Sequence, residues 1–271
     1  MNNRSMYKSS WFFARNPVFR MDEFAAVRKE TKRVSQHALL SHHVEMGRLL
    51  HVRRGLYAVV PDGFAAYSYN VDPYLIAAKA TDDAIVAYRS ALSLLGYSYS
   101  VHNTMTYLTA KRESTKFVFQ GTEYIGVTQP KALLRQGQES TSVESIDRAG
   151  MQIRATSLER TLVDCFDRLD LAGGIEEVWR SLEAISYLNI KLLLAYIALL
   201  GNAVTTAKVG FFLDMNKERL HVSEKDFDFL RSHRPQHPTY MFRSERTGKL
   251  VHDWNLIVPT QVLERSWEEP F

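Results

Sequence analysis

Residues 34–61, VSQHALLSHHVEMGRLLHVRRGLYAVVP, constrain the chain more than any other stretch. A serine hydroxyl accepts hydrogen bonds from the orphan N–H groups of a first helical turn, and glycine suits the left-handed residue that ends a helix. Ser35 and Gly47 therefore predict a short helix over residues 35–46. At about 100° per residue, Leu39, Leu40 and Val44 fall on one side, with His37, Ala38, Ser41, His42 and Glu45 on the other. One side packs and the other is free to read something. After Gly47, Leu50 and Val52 alternate with His51 and Arg53, and Tyr57 and Val59 alternate with Ala58 and Val60, the period of half-buried strands. Arg53-Arg54-Gly55 lies between them as the tip of a hairpin.

A small helix followed by an arginine-tipped hairpin is the outline of a winged helix-turn-helix, in which the helix enters the major groove and the tip reaches flanking phosphates. The preceding residues fit: an irregular arm or short helix over 1–16, a short strand over 18–20, and a helix over 22–30 with Phe24, Ala25 and Val27 available for packing. Up to Val60 the chain carries eleven Lys and Arg against four acids, +7, which leaves −3 of the total +4 for the rest. That asymmetry suits an electrostatic nucleic-acid anchor, with a solvated basic face as the alternative.

The expected contacts follow from residue chemistry. Lys32, Arg33, Arg53 and Arg54 serve phosphates, and Ser35 with the first N–H groups of the helix faces another phosphate. Gln36 lies toward the packed side but at the first turn can reach outward to adenine, while His37, Ser41 and His42 meet bases or phosphates. His43 points inward beside Leu39 and Leu40. His37, His42, His43 and His51 diverge in direction and have no cysteine among them, so neither a metal nor a cofactor is expected.

With 271 residues the chain suits two or three domains. The lack of apolar periodicity over 62–71 places a boundary there, giving 1–64 as the winged helix and 65–271 as a second domain. The latter reads as mixed α/β over 65–155, mainly helical over 156–235 and extended over 236–271. The fold class is thus α+β. Cys165, the sole cysteine, excludes an intramolecular disulfide. The longest apolar segment, 192–200, is about half a membrane span, so a cytoplasmic protein without membrane contact is expected. In the second domain Ser157 and Glu159 suit the capping of a helix start, and Arg160 and Asp164 an i,i+4 pair on a helix surface. Phosphate-loop, nucleophile-elbow and zinc-hydrolase motifs do not occur.

Two segments carry a resemblance. Gly47-Arg48-Leu49 with Val52-Arg53-Arg54-Gly55-Leu56-Tyr57-Ala58 is similar to the wing of the domain that opens AbiEi-type antitoxins. Residues 155–165, ATSLERTLVDC, leading to Ala172-Gly173-Gly174-Ile175-Glu176-Glu177-Val178-Trp179, resemble the core of the antitoxin domain. The resemblance implies a non-enzymatic antitoxin of a type IV toxin–antitoxin system active in abortive phage infection. Its first domain would bind double-stranded operator DNA and repress its own operon. Its second would counter a nucleotidyltransferase-like toxin without a stable complex being required. The charged Lys29-Glu30-Thr31-Lys32-Arg33 stands where many members have a short glycine turn. The rival readings are a winged-helix transcription regulator with a ligand-binding or dimerisation domain, and a winged-helix nuclease, for which Gln129-Pro130-Lys131 is the nearest candidate without an acidic partner upstream. On the DNA-binding reading, replacing Arg53 and Arg54 together with alanine weakens binding to every duplex and flattens its salt dependence, as a titration across salt concentrations would measure.

Overall fold

Phe12, Phe13, Phe19 and Phe24 pack edge-on and face-on with centroids 5.1 to 6.2 Å apart, and with Met21, Leu40, Leu49 and Tyr57 they form the first core. The computed structural model describes residues 3–28, 33–111, 116–242 and 246–268. Around this core lie α1 (Asn3–Arg15), β1 (Val18–Arg20), α2 (Met21–Val27), α3 (Arg33–Glu45), β2 (Leu49–Arg53) and β3 (Leu56–Val59). The strands form an antiparallel sheet in the order β1-β3-β2, with Val18 opposite Ala58 and Leu50 opposite Ala58 from the other side. This succession and strand order are those of a winged helix-turn-helix.

Two local expectations change. Helix α3 begins at Arg33, so Ser35 lies inside its first turn instead of capping it. Leu56, Tyr57 and Ala58 are buried in succession, so both faces of β3 are covered where alternation predicts one.

These elements belong to a larger unit comprising residues 1–86, 103–128 and 145–155, so the chain does not divide by compactness at residue 64. Helix α4 (Pro73–Lys79), capped by the Asp72 carboxylate accepting from Tyr74 N at 3.0 Å, packs on β1. Lys79 pairs with Glu23, Arg20 donates to the Thr81 carbonyl at 3.3 Å, and Arg53 donates to the Ala80 carbonyl. Strands β4 (Ile85–Val86), β5 (Thr104–Thr109), β6 (Lys116–Phe119), β7 (Thr122–Thr128), β8 (Val143–Arg148) and β9 (Met151–Thr156) form one sheet in the order β6-β7-β5-β4-β9-β8. Pairs β5–β7 and β4–β9 are parallel, β4–β5 and β6–β7 antiparallel. The sequence predicts a helix over 83–95 that ends at Gly96, yet the stretch starts as strand β4. The Asp83 carboxylate accepts from Thr109 Oγ1 at 2.7 Å and Ala110 N at 2.6 Å, which ties this segment beside β5. Helix α5 (Tyr88–Leu94) starts only at Tyr88, whose φ is +55°.

The second unit comprises residues 87–102, 129–144 and 156–271. Besides α5 it holds α6 (Lys131–Gln136), α7 (Leu158–Asp167), α8 (Ile175–Glu183), α9 (Ile190–Leu200), α10 (Ala203–Met215), α11 (Lys217–Leu220) and α12 (Glu224–Ser232). A small sheet follows, β10 (Thr239–Tyr240), β11 (Lys249–Val251) and β12 (Leu256–Val258) in the order β10-β12-β11, and then α13 (Thr260–Leu263). Helix α7 is central and packs against α5, α8, α9 and α10, with Glu159 to Phe166 all buried. Phe166 and Trp179 both pack against Phe212, 5.5 and 5.1 Å between centroids. Among the described residues no helix is long and apolar enough to cross a membrane.

Gly210 on α10 lies directly under the Trp254 ring, where an added Cβ would overlap it. Trp254 is fully buried, so the ring cannot swing out to solvent without uncovering the core. Gly210→Ala is expected to destabilise the chain by about 1–3 kcal/mol through overpacking, read as a lower midpoint in chemical denaturation.

Candidate nucleic-acid interface

Helix α3 buries a stripe at positions 36, 40 and 43. Gln36, Leu40 and His43 are buried and Leu39 and Val44 partly so, whereas Ser35, His37, Ala38, Ser41, His42 and Glu45 are exposed. The aromatic core takes the inner side, and the outer side presents small polar groups and two imidazoles. The exposed residues project from one face, and the helix is backed by a packed body.

Gln36 does not belong to that outer face. Its side chain is 3% exposed and its Nε2 donates to the Arg28 carbonyl at 3.0 Å, tying the start of α3 to the end of α2. A buried amide must be satisfied locally, and this bond keeps Gln36 on the packed side, contrary to its expected outward reach to adenine. Arg28 is also turned inward, donating from Nη1 to Ser9 Oγ at 2.6 Å, so part of the basic charge counted in the first 60 residues is structural. Lys32 lies outside the described residues. Arg33 is the first residue of α3, and its side chain is likewise outside the described part.

The hairpin tip separates its two arginines. Gly55, at a φ of +76°, takes the left-handed turn position, and its carbonyl accepts from Met21 N at 2.8 Å. Arg54 is exposed. Arg53 is half-buried: besides its bond to Ala80, its guanidinium carbon lies 4.6 Å from the centroid of the Phe117 ring. Arg48, exposed immediately after Gly47, is a cation that the sequence showed as charge only. Its place just beyond a helix end was the available signal. Ser35, His37, Ser41, His42, Arg48 and Arg54 are therefore the exposed candidates on this module.

The residues of the second unit that most resemble catalytic groups are taken up by the fold. Ser157 Oγ caps α7, accepting from Arg160 N at 3.3 Å, and Glu159 accepts from Asn189 N at 3.0 Å instead of closing a capping box. Arg160 and Asp164 form their i,i+4 pair at 3.3 Å, but in the interior, at 0% and 2% side-chain exposure. Arg160 also donates to the Glu139 and Thr141 carbonyls at 2.9 and 2.8 Å and to the Gln129 amide oxygen at 2.8 Å. Tyr196 OH donates to the other Asp164 oxygen at 2.6 Å. Burial pushes the Asp164 carboxyl up to about 6, opposed by Arg160 and by the tyrosine hydrogen bond. Gln129-Pro130-Lys131 opens α6 rather than a strand pair. Among the described residues no group of three His, Cys, Asp or Glu could hold a metal ion.

No protein-family model and no curated protein matches the chain. Among solved structures it is similar to one described as the crystal structure of RV2827C protein from Mycobacterium tuberculosis. The match has 16% identity and a TM-score of 0.56 over 98% of this chain and 94% of that one. At that identity the likeness concerns the fold, and it extends through both units.

His43 predicts a pH dependence for this module. It is 5% exposed, neither ring nitrogen has a hydrogen-bond partner among the described residues, and the ring stands edge-on to Phe13 at 5.0 Å. Burial, and then the charges of Arg48, His42 and Arg28, lower its pKa below the ordinary 6.5. The unfolded chain therefore takes up a proton that the folded chain refuses. Stability is fully present above 6.5 and is lost as pH falls through the lower folded value. Amide exchange in α3, corrected for intrinsic rate, is expected to accelerate below that pH in the wild type and far less in His43→Phe.

Proposed function

We propose that the chain is a DNA-binding antitoxin without enzymatic activity that represses its own operon and counteracts a nucleotidyltransferase-like toxin in the cytoplasm. The observation that carries the DNA-binding part is the outward face of α3, where Ser35, His37, Ser41 and His42 are exposed together while the opposite face is fixed by the aromatic core. Arg54 at the wing tip and Arg48 after α3 supply phosphate-directed charge, and the exposed face supplies groups able to bond base edges. Repression follows from occupying the promoter.

The toxin-directed part rests on the resemblance to AbiEi-type antitoxins in residues 155–179. In this chain those residues form the end of β9, α7 and much of α8, the elements that build the second core. A regulator whose second unit binds a small ligand is the competing reading. It is favoured by a cleft of about 740 Å3 lined by Arg168, Asn202, Thr205, Lys208, Tyr240 and Met241, among others.

Binding of the full chain to the DNA upstream of its own gene, against a random duplex of equal length across a salt series, tests the proposal. Preference for the upstream DNA that survives moderate salt is expected, with loss of preference in Ser41→Ala and His42→Ala. Arg54→Ala is expected to weaken binding to both duplexes and to reduce the salt slope by about one. Equal, steeply salt-sensitive binding to both would leave only a basic surface, and cleavage in added magnesium would favour the nuclease. A neighbouring toxin whose growth arrest is relieved by co-expression tests the second half.

A further inference from the structure

The neighbour of the exposed wing arginine is engaged elsewhere. The pairing of β2 with β3 slips between His51 and Arg53: His51 lies opposite Tyr57 and Arg53 opposite Leu56, leaving Val52 as an extra residue. Such a bulge bends the strand and re-aims the side chain that follows. Arg53 is turned onto the body of its own unit, where Nη2 donates to the Ala80 carbonyl just past the end of α4, the negative end of that helix. Its guanidinium lies over Phe117 of β6, and Phe117 stacks on the buried Tyr124 of β7 at 4.6 Å with the rings 8° from parallel. Arg20, from the strand beside β3, donates to the next carbonyl, Thr81.

We infer that Arg53 is a positioning residue, which clamps the wing to the Ala80 carbonyl and the Phe117–Tyr124 ledge so that Arg54 is held at one fixed place for a phosphate. Arg53 itself does not contact DNA. A planar guanidinium bonds a carbonyl in its plane while stacking through its face, and an ammonium cannot do both. A phosphate contact, by contrast, tolerates lysine because it needs only the charge. The inference rests on the DNA-binding proposal for its consequence and on the free chain for its geometry, so the two fail separately.

The test uses the full chain as wild type, Arg53→Lys, Phe117→Ala, the milder Phe117→Leu, and each Phe117 variant combined with Arg54→Ala. Amide exchange over residues 49–59 is measured without DNA, and duplex affinity across salt concentrations with it. Exchange is expected to accelerate in Arg53→Lys and Phe117→Ala, with circular dichroism reporting that the fold is retained. Arg54→Ala is expected to weaken duplex binding about threefold to tenfold in the wild-type background, and to add little once Phe117 is replaced, because an unclamped wing no longer presents Arg54. A merely stabilising Phe117 would leave the Arg54 increment intact. Wild-type affinity in Arg53→Lys, or an undiminished Arg54 increment in the Phe117 variants, overturns the inference. Faster wing exchange in a chain that binds no duplex would retain the clamp and reject the DNA-binding proposal.

Discussion

The packing of Phe12, Phe13, Phe19 and Phe24 against the inner face of α3 is the contact on which the winged module depends. Aromatic rings bury a large area with few rotatable bonds, so four of them held in mutual contact determine which side of α3 can face inward. Leu40 and His43 enter that core, and Gln36 is drawn to the Arg28 carbonyl beside it. The outward set, Ser35, His37, Ser41 and His42, is the complement of this choice. The polar face is thus a consequence of the apolar one, and α3 is held by its packed side while its other side remains available.

Elements whose signals are local were legible from residue order. Asp72-Pro73 opens α4, Ser223 and Asp226 form the capping box of α12, and α9 runs over the apolar stretch from Ile190 to Leu200. The order of the winged module was legible for the same reason. What escaped depends on partners distant in sequence. Ile85-Val86 is a strand because Asp83 is bonded to the end of β5, and Arg53 faces Ala80 and Phe117 because of a one-residue slip in pairing. The helical wheel placed Gln36 on the packed side. Its withdrawal from the exposed face was settled only by the carbonyl it meets there.

Burial changes the meaning of the charged residues in the second unit. Arg160 and Asp164, four apart on α7, satisfy the pattern of a surface ion pair equally well as sequence. Their true setting is a closed set of hydrogen bonds with Gln129, two carbonyls and Tyr196. Such a network has little tolerance for loss of one member, because the charge left behind has no water to turn to. The same holds on a smaller scale for Glu177, which accepts from Arg89 Nε at 3.2 Å and from Ser100 Oγ at 2.7 Å. Both networks join α7 or α8 to stretches earlier in the chain. Helices α7 and α8 therefore assemble three separate segments of the chain into one interior.

The interleaving of the two units has a consequence for how the protein is made. Strand β4 pairs in parallel with β9 through Val86 and Ala155, and the intervening chain contributes strands to one unit and helices to the other. As the polypeptide leaves the ribosome, the winged module can gather its aromatic core early from neighbouring residues. The six-stranded sheet must wait for residue 155, with β4 unpaired on that side until then. Closing so long a segment is slow compared with forming a local turn. A nascent chain stalled before that point would present a finished winged module on an unfinished support.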